Sequence, residues 1–279
     1  MSNSAVYAGN DFDRNFCIES YGVRVRIESN DEALLEDARE VVRKAFVGNA
    51  EIIENGGADA TLSYRIERLQ RGKIALTLGG EYIPFGRSRR SFLKYFNSRL
   101  RLTVCEHAKS HVFVHAGVVA KNGKALVIPA QSFKGKTTLV AELVRNGAEY
   151  YSDEYAVLDE NGLCHPFPRT LSLRWIDGAY RDAEIPAEEF GSIGFEAVPV
   201  GMVLLTAFEV DAVWQPEILT VGRGVMGVIP HTIPIRANTE FSMAVLGIAL
   251  SRAVFVKSSR GEAVDFAKII LSFFDDVVG

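Results

Sequence analysis

Residues 125–147, ALVIPAQSFKGKTTLVAELVRNG, constrain the fold more than any other stretch of the chain. Ala125, Leu126, Val127 and Ile128 are continuously apolar, as in a strand buried on both faces. Leu139, Val140, Leu143 and Val144 recur at helical spacing, which predicts a helix with one buried face. Gly147 stands where a left-handed C-terminal cap belongs. Between strand and helix lies a turn that ends in Gly135-Lys136-Thr137. A turn of this kind aims successive N–H groups, and the positive end of the helix, at an anion. The residues fit the phosphate-binding pattern G-x-x-x-x-G-K-[ST], with Ala130 in the place of the first glycine. Gly135 lets the backbone curl. Lys136 is positioned to reach the outer phosphates of a nucleoside triphosphate, and the Thr137 hydroxyl to ligate Mg²⁺. Alanine at 130 donates the same N–H, and costs about 1–2 kcal/mol only if that position needs φ > 0. Lys134 is either a second cation beside the phosphates or a solvated loop charge.

The flanks support a nucleotide-site context. HVFVHAGVVAKNGKALVIPA reads as two strands joined by a hairpin at Asn122-Gly123. Downstream, Asp153 and Glu154 follow the apolar pair Tyr150-Tyr151. A strand ending there, parallel to the loop strand, brings Asp153 to the C-terminal edge of the sheet, where open α/β sheets bind ligands. The alternative is an ordinary hairpin turn at Ser152-Asp153-Glu154. His115 lies on the strand before the hairpin, where an isolated histidine is usually a core residue. His107, His111, His165 and His231 are read as structural. Arg169 and Arg174 suit either phosphate or ordinary ion pairs.

The chain has 279 residues, enough for one large domain or two modest ones. A formal net charge of −4 gives no global attraction to nucleic acid or to an acidic membrane surface. Cys17, Cys105 and Cys164 are odd in number and far apart, which argues against a disulfide framework or a zinc site and fits a reducing compartment. No basic segment with an apolar stretch behind it opens the sequence, and no apolar run is long enough to span a bilayer. A cytoplasmic location is expected by elimination.

Residues 1–17 lack periodicity and read as a flexible leader. Val23, Val25 and Ile27 alternate as in a strand, and Ser29 with Glu32 has capping-box spacing before a helix that carries Leu34, Leu35, Ala38, Val41, Val42 and Ala45. Strands over 62–66 and 74–78, a turn at Arg71-Gly72 and a helix over 91–107 complete a small α+β domain, residues 18–107. Its basic run, Arg87, Arg89, Arg90, Lys94, Arg99 and Arg101, is a solvated helix face or a dock for an acidic partner. Residues 108–279 form the second domain. Beyond Arg174 it continues with an irregular stretch over 177–197, a strand over 202–208, a helix over 241–251, a short strand over 253–256 and a last helix over 262–274.

HAGVV, PAQSFKGKTTL, YYSDEYAVLD and PFPRTLSLR follow one another in that order. Over residues 111–174 the chain thereby resembles the catalytic domain of the HPr serine kinase/phosphorylase family, and more closely the broad group of HPr-kinase-like proteins. The resemblance implies an α/β P-loop kinase domain of the HPr kinase/phosphoenolpyruvate carboxykinase type, behind the small α+β segment. It implies ATP and Mg²⁺, and transfer of the γ-phosphate to a hydroxyl, a serine of a peptide or protein acceptor. By matched position, Ala130, Gln131, Ser132, Phe133, Lys134, Gly135, Lys136, Thr137 and Thr138 would hold the phosphates. Thr137, Asp153 and Glu154 would hold the metal. Asp153 would be the general base, with Lys136 and His115 beside the transferring phosphate. Arg174 would touch phosphate or a ring interface between copies of a homo-oligomer. The sequence departs from the family at Ala130, at Phe133-Lys134 and at Glu154, where bifunctional members carry a second Asp. VGRGVMGV, residues 221–228, is a poor match to the family's later glycine-rich stretch. These departures bear on a reverse phosphorylase reaction and on HPr as the acceptor, and leave ATP binding untouched. The competing readings are a non-catalytic ATP-binding module that switches a partner, and a bare ATPase.

Overall fold

The computed structural model describes residues 12, 14–54, 60, 62–130, 135–176 and 179–279, and within 172–183 the backbone alone. The chain is a mixed α/β protein. It divides into two compact units, Met1–Lys109 and Ser110–Gly279, each built on its own mixed sheet.

In the first unit, β1 (Arg14–Ser20), β2 (Val23–Ser29) and α1 (Glu32–Ala45) are followed by β3 (Glu51–Glu54), β4 (Leu62–Arg68), β5 (Ile74–Leu78), β6 (Glu81–Gly86) and α2 (Arg89–His107). The strand order is β3-β1-β2-β4-β5-β6, with β2 and β4 parallel. Four residues read as leader belong to β1: Arg14 starts the strand, and Phe16 is fully buried opposite Ile27. The signal was masked because Phe16, Cys17 and Ile18 are buried in succession and show no alternation. Ser29 is the last residue of β2, so the α1 cap falls instead to Asp31, whose carboxylate accepts the Leu34 amide. The basic run does not make one surface. Arg101 is buried, Arg89 pairs with Asp37, and Arg99 lies 4.0 Å from Glu106.

The second unit opens with the hairpin β7 (His111–Lys121) and β8 (Lys124–Pro129), turning at Asn122-Gly123. Then come α3 (Lys136–Arg145), β9 (Glu149–Ser152), β10 (Tyr155–Asp159), β11 (Leu163–His165), β12 (Leu171–Ile176) and β13 (Ala179–Ile185). The chain ends with β14 (Val198–Phe208), β15 (Glu217–Leu219), α4 (Val221–Val228), α5 (Thr239–Ala249), β16 (Val254–Arg260) and α6 (Ala263–Val278). The order is β11-β10-β7-β8-β14-β16-β15, and β9 also pairs with β7. β8, β14 and β16 are parallel, so Pro129, Phe208 and Arg260 end on one edge. Helices α3 and α6 cover one face over Leu126, Ile128, Met202 and Leu204; α4 and α5 cover the other over Val118, Val127, Val203 and Phe255. Coverage of both faces explains the unbroken apolar run of β8. Each fully buried large aliphatic side chain contributes about 1.5–3 kcal/mol. Part of the stretch read as irregular, 177–197, forms β13, which pairs with β12 as a two-stranded ribbon. The glycine-containing segment 221–228 is helix α4. All three cysteines are buried and none is in a disulfide. No helix among the described residues is long and apolar enough to cross a membrane.

Candidate functional site

The site grows from the start of α3. Gly135 is its N-terminal cap, in the left-handed conformation with φ 72° and ψ 19°. Any other residue there would carry the left-handed penalty. Upstream, the Ala130 amide donates to the His115 carbonyl at 3.3 Å, extending the β7–β8 ladder past Pro129. Gln131, Ser132, Phe133 and Lys134, expected in the phosphate loop, lie outside the described residues. Lys136 opens α3 and turns inward, only 8% exposed, with Nζ 3.1 Å from His115 Nε2. Its stem fits because Gly117 on β7 has no side chain: a Cβ there would stand 2.6 Å from Val140 Cγ2 and 3.0 Å from Lys136 Cγ. Thr138, one residue beyond Thr137, is exposed on the first turn.

Of the two arrangements expected for the acidic pair, the structure has the strand running in the direction of the loop strand and not the hairpin turn, although β9 pairs with β7 and not with β8 itself. β9 and β10 both run antiparallel to β7 along the same side of that strand, so the chain keeps its direction from one to the other. It bends between them at Asp153-Glu154. The Ser152 hydroxyl holds the bend by accepting the amides of Glu154 and Tyr155 at 3.1 and 3.0 Å, and the Ala116 amide donates to the Glu154 carbonyl at 3.1 Å. β9 therefore points the same way as β8, and Asp153 lies level with the end of β8. Asp153 is 8% exposed. Its Oδ2 accepts the Thr137 hydroxyl at 3.0 Å, and its Oδ1 lies 3.3 Å from the Tyr150 hydroxyl. The Glu154 carboxylate pairs with Arg169. Arg174 lies on β12, and its side chain is outside the described residues.

The electrostatics follow from burial. Burial pushes the Lys136 ammonium down to about 8; the Asp153 carboxylate opposes this and the Arg169 guanidinium adds to it. Burial, then the charges of Lys136 and His231, push His115 down to about 4. At neutral pH His115 is thus an uncharged acceptor for the lysine. His231, read as structural from sequence, lies within reach of the same lysine, whose charge adds to burial in lowering the His231 pKa. No local spacing ties it to the loop. It arrives through the fold, since Thr232 bridges to Val114 on β7. Arg260 was also invisible in the sequence: buried at the end of β16, it donates from Nη2 to the Gly135 carbonyl at 3.0 Å. His107 caps onto the Thr103 carbonyl, and His165 pairs with Asp159 near His111. A groove of about 350 Å³ opens along this edge, with Pro129, His231, Lys257 and Ser258 among its walls.

An ammonium, a hydroxyl, a carboxylate and a helix N-terminus thus converge on one spot. Among the described residues no group of three or more His, Cys, Asp or Glu side chains could hold a metal alone. Thr137 and Asp153 instead offer the small set of hard oxygens that Mg²⁺ accepts when phosphate and water supply the rest.

No family model matches the chain, and no curated protein matches its sequence significantly. Among solved structures it is similar to the Hpr(Ser) kinase/phosphatase from Coxiella burnetii, at 11% identity and a TM-score of 0.29, over 60% of this chain and 99% of that one. A likeness at that score carries no weight for fold or function; the fold rests on the sheets and helices described above, and the functional reading on the site itself.

Proposed function

We propose that the chain is an ATP-dependent kinase with a P-loop domain of the HPr kinase type, which transfers the γ-phosphate to a hydroxyl, a serine of a peptide or protein. The observation that carries this reading is the meeting of Lys136, Thr137 and Asp153 at the first turn of α3. Phosphoryl transfer through a loose transition state asks the protein chiefly for positioning and for charge stabilisation. Lys136 and the α3 N-terminus supply positive charge to the phosphates. Asp153 accepts the proton of the acceptor hydroxyl. Thr137 and Asp153 are the residues that would hold Mg²⁺, which supplies neutralising charge to the phosphates when bound. His115 fixes the lysine head group, and Arg169 pairs with Glu154.

Incubation with γ-labelled ATP and fractionated lysate tests the reading. Labelled acceptor should form with the wild type and fall about a hundredfold or more with Asp153→Asn, the range for loss of a general base. Equal labelling by the variant removes Asp153 as the base. Phosphate release with no labelled acceptor means an ATPase, and Mg-ATP binding with neither product means a regulatory module. Mg-ATP at about a hundredfold its dissociation constant should add about 2.7 kcal/mol of stability to the wild type, and none to Lys136→Ala.

A further inference from the structure

We propose that Arg260 is a positioning residue of the phosphate site, clamping the carbonyl of Gly135 so that the first amides and side chains of α3 face the ligand. The inference rests on the phosphate-site reading above. Arg260 is the last residue of β16, opposite Phe208 in the parallel pairing with β14, and so stands on the same sheet edge as the end of β8. It is only 3% exposed. Its guanidinium spans two carbonyls, Nη2 to Gly135 at 3.0 Å and Nη1 to Gly261 at 2.9 Å. The Gly135 carbonyl also accepts the Leu139 amide at 3.1 Å, the first hydrogen bond of α3. One oxygen therefore ties the helix start to a strand 125 residues away in sequence.

The same contact explains why glycine is needed at 135 beyond its positive φ. A Cβ at that position would stand 2.9 Å from Arg260 Nη2, so the guanidinium occupies the space that a side chain would take. A rigid fork suits this task, because a planar guanidinium donates in two fixed directions. Its charge also adds to the positive end of α3. A buried cation placed against a helix N-terminus raises the local positive potential, and an oligophosphate offsets it.

The test measures affinity for two probes, Mg-ATP and inorganic tripolyphosphate, by calorimetry on the full chain. Wild type, Lys136→Ala, Arg260→Met and Arg260→Lys are compared, each with its ligand-free melting midpoint. Arg260→Met should lose about tenfold to a hundredfold in affinity for both probes, the range for a hydrogen bond to a charged group. Arg260→Lys keeps the charge but cannot span two carbonyls, and should fall between Met and wild type. Wild-type affinity in both Arg260 variants, with Lys136→Ala weakened, overturns the inference and leaves the phosphate site standing. So does a loss confined to Mg-ATP, which assigns Arg260 to the nucleoside. If Arg260→Met does not fold, wild-type affinity in Arg260→Lys alone overturns it. A wild type that binds neither probe overturns the phosphate site and the clamp together.

Discussion

At the scale of single residues, Lys136 makes the site sensitive to pH. Burial holds its pKa near 8, so the ammonium that faces phosphate is lost within the accessible range. A ligand that prefers the protonated lysine binds more weakly as pH rises through that value. Mg-ATP affinity should fall about tenfold between pH 7 and pH 9, and Lys136→Arg should flatten the slope, because a guanidinium stays charged throughout. Calorimetric titrations at the two pH values check this, and an unchanged affinity would mean that Lys136 does not contact the phosphates. Lys136, Thr137 and Asp153 were legible in the sequence because their meeting depends on short-range order: a strand, a turn, one short helix and the next strand. Arg260 and His231 were not. Each reaches the site only through strand pairings between segments far apart in the chain, which spacing within a window cannot express. The pairing of Glu154 with Arg169 was hidden for a related reason, since adjacent acidic residues in sequence look equivalent until the backbone turns one of them away.

At the scale of elements, the position of α3 on β7 sets where the lysine points. Gly117 is the contact that matters. Adding a methyl there overlaps Val140 and the Lys136 stem, so α3 must lift off the sheet. Gly117→Ala should cost about 1–3 kcal/mol, typical of overpacking, and lower the melting midpoint by about 2–4 °C per kcal/mol. It should also weaken Mg-ATP binding, because the helix carries Lys136 and Thr137 with it. A variant with the wild-type midpoint would show that the space is available and that α3 is not held by this contact. The elements of the site were the easiest to anticipate: β8 is a solid apolar run and α3 carries a clear helical stripe. Those that escaped notice lack periodicity for physical reasons. β1 buries Phe16, Cys17 and Ile18 in succession. β13 gains its strand form by pairing with β12. α4, with three glycines in VGRGVMGV, has weak intrinsic helix propensity and is helical because it packs on the sheet.

At the scale of the whole molecule, the histidines whose pKa the fold lowers lie in one unit. His111, His115 and His231 all lie in Ser110–Gly279, and burial is the leading cause of a lowered pKa in each. A histidine whose folded pKa is depressed binds fewer protons than it does in the unfolded chain. Its contribution to stability is therefore present above the unfolded value of 6.5 and is lost as pH falls, down to about 4 for His115. Both tryptophans of the sequence, Trp175 and Trp214, belong to the same unit, so their fluorescence reports its unfolding and not that of Met1–Lys109. The fluorescence melting midpoint should drop by at least about 3 °C between pH 7 and pH 5. In the triple variant His111→Gln, His115→Gln, His231→Gln the drop should shrink, because the unfolded chain no longer gains those protons. Equal midpoints at the two pH values in the wild type would show that these imidazoles are not held neutral by the fold. The lysine–histidine contact at the head of α3 would then have to be read with a charged ring, which repels the ammonium it now accepts from.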